Sequence, residues 1–550
     1  MINEQEDSQN GELVICNGRV IDGTGSPWYY ADLSIRNGRI YEIGLVSRSR
    51  ADRTIDARGM IVAPGFIDML GQSELSILVN PHLPSKIFQG ITTEFTGEGG
   101  SVAPLTESLI ERDRAIFEKL NLWPDWTDFR QYFERLERQG LGINLGSYIG
   151  ATQVRKLILG DADRQPTTAE LEQMKAAVRQ GMQDGAVGLS TALQYAPAMY
   201  ATTEELVALA AESAKLGGIY ATHLRSESNA ITDALAEAIQ IGREAATRVE
   251  IWHLKAAGKA NWGRMPEIVS QIEEARQSGV DITADTYAYP AWFNSLNSFT
   301  PPWACEGGPA QLVERLSDPE IRAIIKKDME KPSSDWDNQW KLLADPASIM
   351  LAVVHNPNLL HFQGKTIVEI GKAWDSEPID VIVDILIQDP RAYIAAFGIF
   401  ETDIVTTLRQ PWVSICTDSQ GTAPDGLLGK DHPHPRAYGT YARILRKYIR
   451  EEKVLSLEEA IRKFTALPAQ RMRLVDRGVI KKGMWADIVI FDPDRVCDLA
   501  SFENPNQLSL GMEYVMVNGV PVICEGRATG ALPGKVLRGP GILSERVSTP

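Results

Sequence analysis

The sequence predicts an α/β protein in which a TIM-like (β/α)8 barrel carries a small β-sandwich assembled from both chain ends and an insertion on its catalytic face. Three observations predict this fold. Short apolar runs alternate with amphipathic helical stretches through the middle of the chain, both ends carry β-rich runs interrupted by Asn-Gly, and one long irregular stretch breaks the alternation.

The two chain ends share a hairpin-like pattern. Asn-Gly favours tight hairpin turns because both residues tolerate positive φ. The β-rich runs next to these pairs cover residues 13–16, 31–35 and 39–43 near the start, and 486–491, 513–517 and 520–524 near the end. Because an isolated hairpin is only marginally stable, we predict that residues 1–60 and 475–550 together form one composite β-sandwich. Two separate β modules are the alternative.

The predicted barrel, residues 61–474, is defined by eight apolar strands. Helical stretches lie between several of them, and Thr167 and Thr202 precede acidic residues in the manner of helix N-caps. In such a barrel the active site lies at the carboxyl ends of the strands. The predicted strands are 61–67, 91–96, 142–149, 187–193, 218–223, 249–253, 281–287 and 413–418.

One segment interrupts this alternation. Residues 290–391 are irregular, rich in Trp, Pro and Asp, and too long for an ordinary loop. We predict that they form an insertion that acts as a lid on the catalytic face. Helices at 441–451 and 457–465 then complete the barrel.

The composition excludes several classes of function. The 550 residues include 56 Lys and Arg against 72 Asp and Glu, which gives a formal net charge of −16. A charge this negative disfavours binding to phosphate backbones or anionic lipid, so we expect neither a nucleic-acid nor a membrane partner. The five cysteines form no metal-type pair, and the polar start, residues 1–11, is expected to be disordered and lacks a signal-peptide pattern. We therefore expect a cytoplasmic protein, with a removed export signal as the alternative.

Two histidines and one aspartate end predicted strands. His223 and His253 close consecutive apolar strands, and Asp418 closes the eighth. A single strand-end histidine is more often a structural polar residue than a ligand, but in a barrel all three side chains converge at one mouth. Two imidazoles and a carboxylate there could hold a divalent ion such as Zn²⁺.

Ordered motifs run along most of the chain. They include Ala-Thr-His-Leu-Arg around His223, His-Leu-Lys-Ala-Ala-Gly from His253 and His-Pro-Arg ending at Arg436. Together they resemble the amidohydrolase superfamily, and most closely its N-acyl-D-amino-acid deacylase (D-aminoacylase) family, which implies the same barrel and split β-sandwich. The matching segments are 62–68, 90–93, 188–192, 200–206, 220–225, 253–258, 434–436, 455–460, 465–471 and 483–491.

The first strand departs from the family pattern. The family motif is Asp-x-His-x-His, but here Asp68 is followed by Leu70 and Gln72 at the two histidine positions. Leucine cannot ligate, and a neutral amide is a poor substitute for imidazole. We therefore expect the outer of the family's two metal positions to be empty.

The second strand also differs. Glu98 stands where the family has a cysteine ligand. With His223 and His253, the resemblance implies three protein ligands and a fourth position for water, as in a catalytic zinc site. We predict one divalent metal ion, with Zn²⁺ as the expected metal. The alternative for Glu98 is a solvated acid in a glycine-rich loop.

The resemblance also assigns roles around the metal. Asp418 matches the family's strand-eight aspartate, which implies that it takes a proton from water and later gives it to the leaving amine. Lys255 and Arg436 match the family's carboxylate-binding pair, and Tyr287 or Tyr289 matches the tyrosine that joins them. The following residues, Pro-Ala-Trp-Phe, are bulkier than in the family, which indicates a more aromatic pocket.

These residues predict a mononuclear metal-dependent amidohydrolase that cleaves an N-acyl amino acid of D configuration. The expected partner is a small-molecule amide that carries a carboxylate. The sequence leaves open the acyl group, the side-chain preference, the D or L stereochemistry, the physiological metal and the oligomeric state. A second hypothesis keeps the metal but takes a cyclic amide, a D-residue dipeptide or a modified metabolite. A third, motivated by the lost histidines of strand one, is a degenerate member that binds a ligand without hydrolysing it.

Overall fold

A computed structural model describes residues 12–49, 51–333 and 336–542, so the disorder expected for residues 1–11 lies outside the described residues. The strands are β1 (Leu13–Cys16), β2 (Arg19–Val20), β3 (Tyr29–Tyr30), β4 (Asp32–Arg36), β5 (Arg39–Gly44), β6 (Arg53–Asp56), β7 (Ile61–Pro64), β8 (Phe66–Asp68), β9 (Ile91–Thr96), β10 (Asn144–Ser147), β11 (Ile149–Gly150), β12 (Gly188–Ala192), β13 (Ile219–His223), β14 (Val249–Ile251), β15 (Ile282–Thr286), β16 (Ala291–Ser295), β17 (Ile349–Leu351), β18 (Tyr393–Phe397), β19 (Val413–Ile415), β20 (Ile488–Phe491), β21 (Met512–Val517), β22 (Val520–Cys524) and β23 (Arg527–Ala528).

Helices occupy most of the connections between these strands. No helix in the described part of the chain combines the length and apolar character needed to cross a bilayer. The helices are α1 (Ser76–Val79), α2 (Pro84–Ile87), α3 (Glu107–Arg112), α4 (Arg114–Lys119), α5 (Phe129–Gln139), α6 (Ala151–Leu159), α7 (Thr168–Asp184), α8 (Thr203–Ala214), α9 (Ile231–Glu244), α10 (Met265–Gln277), α11 (Pro309–Ser317), α12 (Pro319–Met329), α13 (Gln339–Leu343), α14 (Ile367–Trp374), α15 (Pro378–Gln388), α16 (Glu401–Leu408), α17 (Arg436–Arg443, continued by a π-helix over Ile444–Glu451), α18 (Leu457–Phe464) and α19 (Ala466–Arg471).

The two chain ends form a β-sandwich. One sheet has the strand order β5-β4-β1-β6, and the other, β23-β22-β21-β20-β7-β2-β3, draws strands from both ends of the chain. The ends join where β7 pairs antiparallel with β20, with Val62 opposite Ile490. Side chains between the sheets, among them Ile15, Leu33 and Ile488, form one buried apolar cluster. The predicted pairing of the two ends is therefore observed.

The middle of the chain contributes parallel strands in sequence order. β8, β9 and β10 form one parallel sheet, and β11-β12-β13-β14-β15-β19 form another. Only Tyr148 separates β10 from β11, and its amide donates to Thr96 O at 2.9 Å. At the other edge a parallel bridge joins Gly71 to Ser419, just beyond β8 and β19. The predicted α/β class is confirmed, and the carboxyl ends of these strands lie on one side.

One predicted strand is two strands. The sequence predicts a single barrel strand over 61–67, but β7 pairs with β20 in the sandwich while β8 pairs with β9. The break falls at Gly65, where an added Cβ would lie 2.2 Å from Thr92 Oγ1. Pro64 and Gly65 mark the passage from one sheet to the other, and the continuous apolar run conceals it.

The insertion is ordered rather than irregular. It contains α11–α15 and the strands β16 and β17, which pair antiparallel with the two sides of β18, just after the insertion. The expectation of an irregular segment is wrong. The prolines that indicated loops stand at the first positions of α11, α12 and α15, at Pro309, Pro319 and Pro378. Proline suits the first turn of a helix, although in a sequence it also indicates a loop.

The segment after the sandwich returns to the parallel strands. Leu145 in β10 donates to Lys535 O at 3.0 Å, and Leu537 donates to Leu145 O at 2.7 Å. In a parallel sheet the N–H and C=O groups of one residue both point toward the same adjacent strand. The segment 533–539 therefore lies beside β10 on the side opposite β9, which accounts for the break between the two parallel sheets.

We expect Gly539→Val to destabilise the fold by undocking this segment. An added Cβ at Gly539 would lie 2.1 Å from Ala186 O. This oxygen belongs to the backbone, so relieving the clash would require the backbone itself to shift. Overpacking of this kind costs about 1–3 kcal/mol of unfolding free energy, which denaturant titration measures. Ala528→Val, on the exposed edge strand β23, is the control and should behave as wild type. An unfolding midpoint for Gly539→Val equal to that of wild type would contradict the docking.

Candidate active site

Three side chains expected to bind metal lie together at the carboxyl ends of the parallel strands. Glu98 follows β9, His223 ends β13, and His253 lies just beyond β14. Glu98 Oε1 is 3.1 Å from His223 Nδ1 and 3.1 Å from His253 Nε2. One donor atom from each residue falls within 4.8 Å of the others. A carboxylate and two imidazoles in this arrangement suit a catalytic divalent metal.

Surplus negative charge surrounds this cluster. Burial raises the pKa of Glu98, but hydrogen bonds from the two histidines outweigh it and hold that pKa well below its usual value. Burial and Lys255 disfavour the charged form of His253, yet Glu227 and Asp418 raise its pKa to about 10. An imidazole that retains a proton this strongly lies in a potential that favours cations. The residues present therefore fit a divalent ion.

Glu227 is a buried site residue that the sequence analysis did not identify. Its Oε1 lies 2.9 Å from His253 Nδ1 and accepts a 2.5 Å hydrogen bond from Lys255 Nζ. Its Oε2 lies 3.6 Å from His223 Nε2. Glu227 thus contacts, on both imidazoles, the nitrogen that does not face Glu98. The sequence feature that could have identified Glu227 is its position four residues after His223, the histidine that ends β13.

Gln72 lies between two carboxylates. Its Nε2 donates to Glu98 Oε2 at 2.7 Å and to Asp418 Oδ1 at 3.1 Å. The resemblance places Gln72 at a metal-ligating position, and here its amide supplies a donor that both anions share. Leu70, at the other such position, is buried and contributes only its carbonyl, which accepts from Asp418 N at 2.8 Å. The sequence analysis did not predict this bridging role.

Asp418 is held beside the cluster in a strained backbone conformation. Its φ is +48°, and that of His253 is +37°; such values cost about 1–3 kcal/mol for a non-glycine residue and concentrate at functional sites. Burial raises the pKa of Asp418 although Arg436 and His253 favour its charged form. A carboxyl group with a raised pKa is suited to accepting a proton and returning it.

Arg436 lies on the far side of Asp418. Its Nη1 is 2.7 Å from Asp418 Oδ2, and its guanidinium carbon is 4.6 Å from the centre of the Tyr287 ring. Tyr289 points elsewhere, since its hydroxyl donates to Pro435 O at 3.4 Å. Of the two tyrosines that the sequence left open, the geometry favours Tyr287 as the partner of Arg436.

A cavity of about 690 Å³ lies at this site, while Arg436 is buried and does not line it. This volume is typical of a small-molecule site. Its wall includes the donor cluster, Lys255, Tyr287 and Asp418, and the insertion contributes Trp292 and Phe293. Two of the bulky residues expected to reshape the pocket thus line it.

Comparison with known proteins decides the family. A model described as "Amidohydrolase family" matches residues 420–523. N-acyl-D-glutamate deacylase of Alcaligenes xylosoxydans xylosoxydans is 33% identical over 96% of this chain and 96% of its own length. The chain belongs to the D-aminoacylase family of amidohydrolases. D-aminoacylase of the same organism is 32% identical over 97% of this chain and 99% of its own length, and the resemblance of the sequence motifs is confirmed.

Solved structures of D-aminoacylase family members share the fold. N-acyl-D-glutamate deacylase from Bordetella Bronchiseptica, complexed with zinc and a phosphonate mimic of the tetrahedral intermediate, matches with a TM-score of 0.80 and 31% identity, covering 96% of this chain and 100% of that chain. A D-aminoacylase matches with a TM-score of 0.80 and 30% identity over the same shares of the two chains. That enzyme is described as having a binuclear metal centre, with one-metal activation and second-metal attenuation.

Proposed function

We propose that this chain is a metal-dependent amidohydrolase that cleaves the amide bond of an N-acyl-D-amino acid. The observation that carries the proposal is the placement of Glu98, His223 and His253 beside Asp418 in one cavity, with the buried Arg436 paired to Asp418. The relatives named N-acyl-D-glutamate deacylase, D-aminoacylase and N-acyl-D-aspartate deacylase support the substrate class.

The proposed cofactor is one divalent ion, with zinc expected, held by Glu98, His223 and His253. When bound, it would polarise the scissile carbonyl and promote ionisation of a water molecule. A single ion is supported by Leu70, whose side chain has no donor atom, and by Gln72, whose amide is hydrogen-bonded to two carboxylates. The zinc-bound relative supports the choice of metal.

Three residues form the proposed anchor for the substrate α-carboxylate. Arg436 Nε and the Tyr287 hydroxyl are buried and, among the described residues, have no hydrogen-bond partner. A buried polar group without a partner is costly, and a carboxylate oxygen would satisfy both. Lys255, whose Nζ lies 5.8 Å from the centre of the Tyr287 ring, adds positive charge beside them.

Asp418 moves the protons in the proposed reaction. Its carboxylate accepts a proton from the attacking water, and the carboxylic acid so formed returns it to the leaving amine nitrogen. Arg436 binds the α-carboxylate in competition with its 2.7 Å ion pair to Asp418. When the substrate weakens that ion pair, Asp418 loses a neighbour that stabilises its charged form and becomes a stronger base.

We infer that the parallel strands close into a (β/α)8 barrel over residues 61–474, with 290–391 inserted on its catalytic face. The bridge between Gly71 and Ser419 and the 2.9 Å hydrogen bond from Val187 N, just before β12, to Ser147 O, at the end of β10, support closure at both sheet edges. Residues 1–60 and 475–550 supply the proposed composite β-sandwich and its tail; the sandwich also takes in 61–64, and 533–539 of the tail lie beside β10.

A substrate panel tests the function. Zinc-supplied protein is given N-acetyl-D-amino acids, their L enantiomers and the α-carboxamides of the D compounds, and amino-group release is measured. We expect release from the D acids and slower release from the L acids. The carboxamides should lose about 30-fold or more in kcat/KM, since an unpaired buried charge costs roughly 2–5 kcal/mol. Ring opening of a cyclic amide without release from any N-acetyl compound would contradict the proposal.

A further inference from the structure

The cavity has a second cationic region, across its mouth from Lys255. Lys255 and Tyr287 follow β14 and β15, the sixth and seventh parallel strands, and Arg436 begins α17, after the eighth. Lys156 lies on α6, directly after the third strand, and also lines the cavity. In a ring of eight strands the third lies opposite the seventh. The two cationic regions therefore face each other across the donor cluster.

Four cations line the side of the cavity that contains Lys156. Three of them are paired: Arg112 with Asp161 at 2.7 Å, Lys119 with Asp431 at 2.8 Å, and Arg391 with Asp113 at 3.1 Å. All four line the same cavity. These pairs link the loop that carries α3 and α4 to the segment after α6, to the insertion and to the segment after β19, so they hold the wall together.

Lys156 differs from the other three. Within residues 12–49, 51–333 and 336–542 its ammonium group has neither a hydrogen bond nor an ion pair, although the residue lines the cavity. Burial and the neighbouring Arg112 lower its pKa to about 8, against the opposing effect of Asp113 and Asp161. Lys156 is half-buried at the cavity wall, and an ammonium group that is partly withdrawn from water and has no partner favours an anion beside it. An anion in the cavity would supply that partner.

The shape of the substrate decides which of its parts reaches Lys156. In an N-acyl amino acid the α-carboxylate and the far end of the acyl group lie on opposite sides of the scissile amide. With the α-carboxylate at Arg436, the acyl chain extends toward Lys156. The wall on that side also includes the apolar residues Leu105, Ile116 and Phe117, which suit a methylene chain.

We propose that the acyl group of the substrate ends in an anion that pairs with Lys156, so that the preferred substrates are N-acyl amino acids of dicarboxylic acyl groups. This inference rests on the proposed amidohydrolase function and adds the class of acyl group. The side-chain carboxylate implied by the names of two relatives is a different group, because it branches from the α-carbon rather than extending beyond the scissile carbonyl.

A matched pair of substrates tests the inference. N-succinyl and N-succinamoyl derivatives of one D-amino acid have the same length, but only the first has an anionic tip. We expect wild type to prefer the succinyl compound by about tenfold or more in kcat/KM, as for a desolvated charge pair. Lys156→Met keeps the length and removes the charge, and should bring the ratio close to one. Lys175→Met, at a lysine paired with Glu172 on α7, is the control and should keep the wild-type ratio.

The outcomes separate the two proposals. Release from N-acetyl compounds with equal rates for the matched pair, or a preference that survives in Lys156→Met, overturns the acyl-tip inference alone. Absence of release from every N-acyl compound counts against the amidohydrolase function. In that case thermal stabilisation by the two compounds is compared in wild type and Lys156→Met. Equal stabilisation of wild type overturns the inference, and a succinyl advantage lost in the variant supports it.

Discussion

In Asp418→Asn, turnover of an N-acyl-D-amino acid falls by about 10²–10⁴-fold, the usual contribution of a positioned acid–base group, while the bound metal remains. The amide keeps an oxygen that can accept the hydrogen bond from Gln72, so the site keeps its shape. It cannot take a proton from water. Steady-state kinetics and elemental analysis of the same preparation measure the two effects.

Asp425→Asn is the matched control for this variant. Asp425 lies seven residues further along the chain and is exposed, so the same change there should leave kcat and metal content as in wild type. Turnover by Asp418→Asn at the wild-type rate would contradict the proposed mechanism. Loss of the metal from that variant would instead place Asp418 among the ligands.

Glu98→Ala should remove both metal and activity. The substitution deletes the only anionic member of the donor set and leaves the two imidazoles. A catalytic zinc site ordinarily has three protein ligands, so we expect the metal content to fall from about one equivalent to near zero, with a parallel loss of kcat. Elemental analysis after dialysis measures the metal independently of activity.

Glu98→Cys provides the comparison, since a thiolate is also an anionic ligand for zinc. We expect this variant to keep about one equivalent of metal. One equivalent retained by Glu98→Ala would show that Glu98 is not a ligand. Two equivalents in wild type would contradict the single-ion proposal, and would mean that Gln72 gives up its hydrogen bonds to the two carboxylates.

The strand-end residues were predictable from the sequence, whereas the contacts among them were not. His223, His253 and Asp418 each close an apolar run, so the periodicity alone places them at one mouth. Glu227 lies in a loop, and its contact with both imidazoles depends on how that loop folds back. The two hydrogen bonds of Gln72 reach Glu98, which is 26 positions away in the chain, and Asp418, which is 346 positions away. No local sequence pattern encodes contacts over such separations.

The fold shows the same division between local and distant information. Asn-Gly pairs at both ends indicated the sandwich because turn chemistry is local. The switch between sheets at Gly65 was hidden because strands of two different sheets form one apolar run. The docking of segment 533–539 beside β10 was missed because it is carried mainly by backbone hydrogen bonds, which leave little trace in residue type.

The pairing of β7 with β20 has a consequence for synthesis of the chain. β7 ends at Pro64 and its partner begins at Ile488, so at about 5–20 residues per second roughly 20–90 s pass before the partner leaves the ribosome. During that time β7 can pair only with β2 on one side, and its other side is an unpaired apolar edge of the kind that promotes aggregation. The sandwich is therefore a late product of folding. A prematurely terminated chain keeps β7 exposed, and chaperones and proteases can recognise it as unfinished.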